Sequence, residues 1–191
     1  MEYLIIALSS YLLGSIPFGF ILTKIFLKKD IRNIGSGNIG ATNALRTGNK
    51  FLGYATLILD ITKAILPVLY VKFNYPDYIF IASLCTFLGH VFPVWLKFKG
   101  GKGVATYLGV ILGISLVLGI VFGITWLVIA VIFRYSSLSS ILGSMTVWIY
   151  SFLFANEMQS YLLFFLFIII FFTHKENIIR LKNSKETKIK I

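Results

Sequence analysis

The chain has 191 residues, of which 58% are hydrophobic and only 13% charged, with a mean hydropathy of +0.88. A soluble domain carries roughly 25% charged residues, so this composition excludes an ordinary soluble domain and predicts a protein embedded in a bilayer. The net charge of +11, from 18 Lys and Arg against 7 acids, is the excess expected of cytoplasmic loops beside an anionic leaflet. Zinc-finger and RNP patterns are absent, so no nucleic-acid partner is expected.

Met1 is followed by neither a basic leader nor a small-residue cleavage site, so the N-terminal apolar run is expected to stay as the first span. That span, Tyr3 to Leu27, is interrupted by Gly14, Pro17 and Gly19, which predicts a kink or close helix packing. Lys24, Lys28, Lys29 and Arg32 follow it and place this end in the cytoplasm, with the N-terminus outside. Between Gly35 and Arg46 the chain reads Gly-Ser-Gly-Asn-Ile-Gly-Ala-Thr-Asn-Ala-Leu-Arg. Gly35, Gly37 and Gly40 can take positive φ, consecutive amides in such a turn can cradle an anion, and Arg46 brings a guanidinium suited to phosphate.

Phe51 to Tyr70 is the second span, with Asp60 and Lys63 three apart on one face. Such a pair turns inward in a membrane, and a structural tie accounts for it without a function. Tyr78 to Leu96 is the third span, reached by the turn Asn74–Asp77; near its end lie Gly89, His90 and Pro93. His90 sits among Phe, Val and Trp and reads as structural. Lys99-Gly-Gly-Lys-Gly103 then repeats the small, basic character of the earlier loop. It is a broken P-loop: Leu96 stands where the first glycine belongs and Gly103 replaces the Ser or Thr, so nucleotide hydrolysis is not expected. A phosphate held by backbone amides and Lys102 fits it.

Val104 to Phe133 carries no charge over thirty residues. One straight helix of that length would be about 45 Å long against a core of about 30 Å, and would leave the basic tail outside. Two short helices turning near Ser115–Gly119 are therefore expected. Arg134–Ser140 reads as a hydroxyl-rich cytoplasmic turn, Ile141–Ala155 as an outward span, and Tyr161–Thr173 as the return. The tail bears His174, Lys175, Arg180, Lys182, Lys185, Lys188 and Lys190 against Glu176 and Glu186. The expected fold is thus all-α, a single polytopic domain over residues 1–191 with seven transmembrane helices. Its N-terminus is outside, its C-terminus cytoplasmic, and its polar segments, about 28–50, 97–106, 134–140 and 174–191, lie on one side.

Cys85 is the single cysteine, which excludes an internal disulfide and a cysteine metal cluster. His90, His174 and Asp60 are the one donor set for a metal, and no metal or other cofactor is expected. Neither histidine has an aspartate four residues on, where Val94 and Ile178 stand, so the His-x4-Asp acyltransferase couple is missing. His174 and Asn177 share a helix face and can both reach a phosphate or hydroxyl. A transporter for a phosphorylated solute would need polar residues toward the outer turns, and a CDP-alcohol phosphotransferase would need an aspartate cluster. Neither is present.

Several runs carry a resemblance: Tyr11–Phe18, Asp30–Arg32, Gly35–Asn43 with Arg46, Asp60 and Lys63, Gly89–Pro93, Phe98–Thr106, Arg134–Ser140 and His174–Leu181. In these motifs, nearly end to end, the chain resembles the bacterial acyl-phosphate:glycerol-3-phosphate acyltransferases of phospholipid synthesis. The resemblance implies a multi-pass protein of the bacterial cell membrane with its active site facing the cytoplasm. It implies transfer of an acyl group from acyl phosphate to the 1-hydroxyl of glycerol 3-phosphate, giving lysophosphatidic acid and phosphate, without acyl-CoA or acyl carrier protein as donor. It assigns catalysis to Ser36, Arg46, His174 and Asn177. Substrate binding is expected at Gly37, Asn38, Gly40, Thr42, Asn43, Gly100, Gly101, Lys102, Gly103, Ser139 and Arg180. A substrate phosphate oxygen is the expected proton acceptor, with His174 as the alternative base. One departure is visible: the family's Gly-Thr-Glu after Arg-Leu is Ser184-Lys185-Glu186 here, which puts a local turn in question.

Overall fold

The computed structural model describes residues 1–189; Lys190, one of the tail lysines, lies outside them. Ten α-helices appear among the described residues: α1 (Glu2–Ser15), α2 (Phe18–Leu27), α3 (Ala41–Leu45), α4 (Lys50–Asn74), α5 (Ile79–Val91), α6 (Val104–Ile114), α7 (Leu116–Phe133), α8 (Ser136–Phe154), α9 (Glu157–Thr173) and α10 (Lys175–Lys182). No strand joins them, because a chain in hydrocarbon must satisfy its backbone groups within each segment.

Among the described residues, five helical stretches are long and apolar enough to cross a membrane: Glu2–Leu27, Lys50–Asn74, Pro76–Leu96, Leu116–Phe133 and Ser136–Phe154. A sixth is obtained if α9 and α10, bent by 59°, count as one span. Seven crossings would also need α6, whose 11 residues reach only about 17 Å. The two-helix reading of Val104–Phe133 holds in that the helix breaks at Ser115, which is extended at φ −157 and ψ 131. The halves are unequal, since α7 alone has the length of a full span.

The chain divides into two compact units, Met1–Ile114 and Ser115–Ile191. In the first, Ile16 is extended before Pro17 and separates α1 from α2, as a residue before proline prefers. Small residues line the helix contacts. A Cβ built on Gly14 would strike the Thr86 carbonyl, and one on Gly89 the Tyr11 carbonyl, so α1 and α5 touch backbone to backbone. Gly109 and Gly113 set α6 in the same way against Ile61, Ala64 and Val68 of α4. Leu4, Ile5, Leu8 and Leu12 of α1 stay exposed while Ser10, Gly14 and Ser15 are buried. Large apolar residues outside and small ones inside are the pattern of helices that meet through close packing in lipid.

In the second unit, Phe122 of α7 packs over Gly143 of α8, and Trp148 stacks on Phe167 of α9 at 5.8 Å between centroids and meets Phe164 at a tilt, 5.0 Å away. Two boundaries differ from the sequence reading. The hydroxyl-rich stretch is no turn: α8 starts at Ser136, leaving Arg134 and Tyr135 as the connection, with Arg134 at φ 63. Likewise α9 starts at Glu157 rather than Tyr161, because Asn156 caps it by accepting from the Gln159 amide at 2.9 Å.

Candidate active site

The Gly35–Arg46 loop is built around one side chain. Asn43 is buried; its Oδ1 accepts from the Ser36 amide at 2.9 Å, and its Nδ2 donates to the carbonyls of Ile34 and Asn38 at 2.8 Å and of Ile31 at 3.2 Å. Asn43, expected among the substrate contacts, therefore holds the loop together instead. Gly35 and Gly37 adopt φ 56 and 71, whereas Gly40 is extended at φ −82 and precedes α3. Gly40 thus serves as a cap without using left-handed freedom.

The expected cradle of free amides is largely taken up inside the loop. Ser36 donates to Asn43, Gly37 to the Ile34 carbonyl at 3.0 Å, and Gly40 to Asn38 Oδ1 at 2.9 Å. What the loop presents outward are the exposed residues Ser36, Thr42 and Arg46. Arg46 borders an open cavity of about 420 Å³ together with Lys29 and Thr47, over Phe26, Leu27 and Ile34. Just upstream, Arg32 and Asp30 pair at 2.6 Å. The hydrogen-bonded guanidinium holds the Asp30 carboxyl below its ordinary value.

The second glycine loop is held by its neighbours. The Gly100 amide donates to the Val91 carbonyl and the Gly101 amide to the His90 carbonyl, both at 3.1 Å. A Cβ on Gly100 would meet those two carbonyls and the Pro93 ring; one on Gly101 would meet the His90 ring. Gly103, at φ 86, lies against the Phe87 ring. The glycines here bring backbone against α5, so the amides of Gly100 and Gly101 are not anion ligands. Lys102 is half-buried, two residues before α6. Beside this loop, Trp95 Nε1 donates to Ser15 Oγ at 2.8 Å and Tyr11 Oη to the Phe92 carbonyl at 2.7 Å. An apolar cavity of about 300 Å³ opens there between Ile16, Pro17, Phe20, Ile21, Trp95 and Leu96.

In the second unit, His174 sits at the junction of α9 and α10 and is 3% exposed. Its Nδ1 lies 2.8 Å from the Ile170 carbonyl. A carbonyl can only accept, so Nδ1 carries a proton and donates it there. Asn177, 6% exposed, donates to Glu186 Oε1 at 2.7 Å; Ser137 Oγ donates to the same oxygen at 3.0 Å; and Arg180 Nε reaches Oε2 at 2.7 Å. Burial works to raise the Glu186 carboxyl, but these three donors outweigh it and hold the group below its ordinary value. Glu186 and Ser137 were not among the expected site residues, although Glu186 is one of two acids in a basic tail. Ser139, expected to touch substrate, is fully buried in α8 and donates back to the Tyr135 carbonyl at 2.9 Å. The turn at Ser184-Lys185-Glu186 forms with Ser184 at φ 55.

The model of the glycerol-3-phosphate acyltransferase family matches residues 4–184. A glycerol-3-phosphate acyltransferase of Pelagibacter ubique (strain HTCC1062) is 72% identical over the whole of both chains. One of Rhodopseudomonas palustris (strain HaA2) is 49% identical over 98% of this chain and 95% of its own. Among solved structures, PlsY (YgiH), an integral membrane glycerol 3-phosphate acyltransferase, superimposes in its glycerol 3-phosphate form with a TM-score of 0.95 at 34% identity. That match covers 100% of this chain and 96% of the other. The lysophosphatidic acid form of the same enzyme gives 0.91 at 34% identity, over 98% and 95%.

Proposed function

The chain belongs to the glycerol-3-phosphate acyltransferase family, and from that premise we propose that its acyl donor is acyl phosphate and its acceptor the 1-hydroxyl of glycerol 3-phosphate. The observation that carries the donor is the amphiphilic cavity at the first loop. Two cations, Lys29 and Arg46, stand over Phe26, Leu27 and Ile34, which suits an anion carrying an apolar chain. Lys102, two residues ahead of α6, takes the phosphate of glycerol 3-phosphate, because an ammonium beside a helix N-terminus favours that charge.

Acyl phosphate is already activated, so the protein mainly orients the hydroxyl and stabilises charge on the attacked carbonyl. The hydroxyl oxygen forms a bond to the acyl carbon, the bond from that carbon to the phosphate oxygen breaks, and inorganic phosphate leaves. The hydroxyl proton passes to a phosphate oxygen, with Ser36, Thr42 and Arg46 donating around the reacting groups. Within the second unit, His174 and Asn177 are proposed as catalytic residues and Arg180 as a substrate contact. Asn38, Asn43, Ser139 and the loop glycines act by shaping these segments. The reading carries seven crossings of a bacterial cell membrane, the N-terminus outside, and residues 28–50, 97–106, 134–140 and 174–191 in the cytoplasm, where Lys and Arg concentrate.

Purified protein supplied with glycerol 3-phosphate and, in turn, acyl phosphate, acyl-CoA or acyl carrier protein thioester tests this directly. Phosphate release and lysophosphatidate formation that need acyl phosphate and glycerol 3-phosphate together are the expected result; product from a thioester donor alone overturns the donor assignment. His174→Gln separates the two proton acceptors. Loss of turnover with glycerol 3-phosphate binding intact assigns the base to His174, and loss of both favours the substrate phosphate.

A further inference from the structure

Behind the second glycine loop, within the first unit, lies a buried polar cluster that the chemistry above does not use. Lys63 of α4 donates to the Ile16 carbonyl at 2.6 Å and to His90 Nδ1 at 3.0 Å, and its ammonium is ion-paired with Asp60 Oδ1 at 2.7 Å. Asp60, Lys63 and His90 are at most 5% exposed. An ammonium can only donate, so Nδ1 of His90 accepts and the ring proton sits on Nε2. That atom faces the loop: a Cβ on Gly101 would fall on Nε2 itself. The Gly101 amide meanwhile donates to the carbonyl of His90, so one residue meets the loop through both ring and backbone.

Stability alone is a poor reason for this arrangement. Apolar residues of similar volume commonly replace a buried ion pair at no loss, whereas a pair that fixes one conformation has a use. Here Lys63 links the Ile16 carbonyl, at the break between α1 and α2, to the orientation of the His90 ring under Gly101.

We propose that Asp60, Lys63 and His90 are positioning residues for the Gly100–Gly103 loop, holding it where it binds glycerol 3-phosphate. This rests on the substrate assignment made above. It predicts a penalty on capture of glycerol 3-phosphate and little on the acyl donor or on the chemical step.

The informative comparison is His90→Gln against His90→Asn. Both are polar, but only Gln carries an amide out to the Nε2 position, while Asn keeps just an acceptor near Nδ1. The expected result is a KM for glycerol 3-phosphate raised about tenfold in His90→Asn and substantially restored in His90→Gln. In both, kcat and the KM for acyl phosphate stay within about twofold of the parent. A double variant, Asp60→Leu with Lys63→Met, removes the pair without stranding a charge and is expected to raise the same KM.

Equal glycerol 3-phosphate KM values in Asn and Gln variants, or a loss confined to kcat, overturn the proposal. So does a parent-like KM in the double variant. Direct calorimetric binding of glycerol 3-phosphate to each detergent-purified variant ranks them without turnover. If the parent binds glycerol 3-phosphate but releases no phosphate from acyl phosphate, the donor assignment fails while the ranking still decides the positioning role.

Discussion

Gly35–Arg46 and Lys99–Gly103 are both short runs of glycine and small residues edged by cations, and they are held by opposite means. The first is organised from within: Asn43, buried inside its own segment, bonds four backbone groups of residues 31–38. The second has no such organiser and is laid against the end of α5, its amides on the carbonyls of His90 and Val91. Glycine serves differently in each. At Gly35 and Gly37 it supplies a left-handed dihedral; at Gly100 and Gly101 it supplies the missing side chain that lets two backbones touch.

The sharpest way to break the contrast is Gly100→Ala. The new Cβ would land on two backbone carbonyls and a proline ring, none of which can rotate away. Relief therefore requires the loop to shift, and a displacement near 1 Å is worth about 100-fold, read in kcat/KM for glycerol 3-phosphate. Gly37→Ala is the matched control. Its Cβ meets only the Arg32 carbonyl, at 3.1 Å, so the positive φ dominates at roughly 1 kcal/mol and turnover falls less than about tenfold. Steady-state kinetics on both variants check the order.

Asn43→Ala attacks the first loop where it is self-sufficient. It strands the Ser36 amide and the Asn38 carbonyl, at about 1–3 kcal/mol per buried unsatisfied group, and takes a second donor from the Ile31 and Ile34 carbonyls, which keep the amides of Ile34 and Gly37; the loop loosens. Amide exchange should rise sharply over residues 31–46 and stay at the parent rate over 97–103, whose supports lie in α5. Matching increases in both segments would show that the loops are not independently held.

What could be read from the sequence follows the same division. The break at Pro17, the break at Ser115, the shared face of Asp60 and Lys63, and the left-handed Gly35 and Gly37 are all decided within a few residues. The partners of Gly100 and Gly101 are ten or so residues distant and depend on how α5 ends. That His90 sits under Gly101 and on Lys63, 27 positions away, leaves no periodic signal. Ser137, Ser139 and Ser140 misled because hydroxyls favour turns; here Ser139 and Ser140 return their protons to carbonyls four residues back, as serine does inside a helix. The convergence on Glu186 spans 49 positions from Ser137. Its only signal was an acid among lysines.

That tail stands between the two loops in kind, held by a side chain but one brought from outside α10. Its support is electrostatic, so pH probes it. Because the folded Glu186 carboxyl lies below its ordinary value of 4.5, its contribution is complete above that pH and lost as pH falls through the lowered folded value. Amide exchange of residues 177–186 is expected to be flat from neutral pH down to that region, after correction for intrinsic rates, and to accelerate below it. A rise already present near pH 6 would assign the tail's order to something other than this carboxylate.

The smallest effect tests the turn that delivers Glu186. Ser184 holds φ 55, a region where a side chain costs roughly 1 kcal/mol and glycine pays nothing. Ser184→Gly removes that strain but also frees the unfolded tail, and the two partly cancel. The net gain should be below about 1 kcal/mol, read as up to roughly fivefold slower exchange at the Lys185 amide, which bonds the Arg180 carbonyl at 2.7 Å. Faster exchange would mean that the Glu186 contacts, rather than the Ser184 dihedral, set the geometry, and that glycine's freedom loosens a turn already determined by its carboxylate.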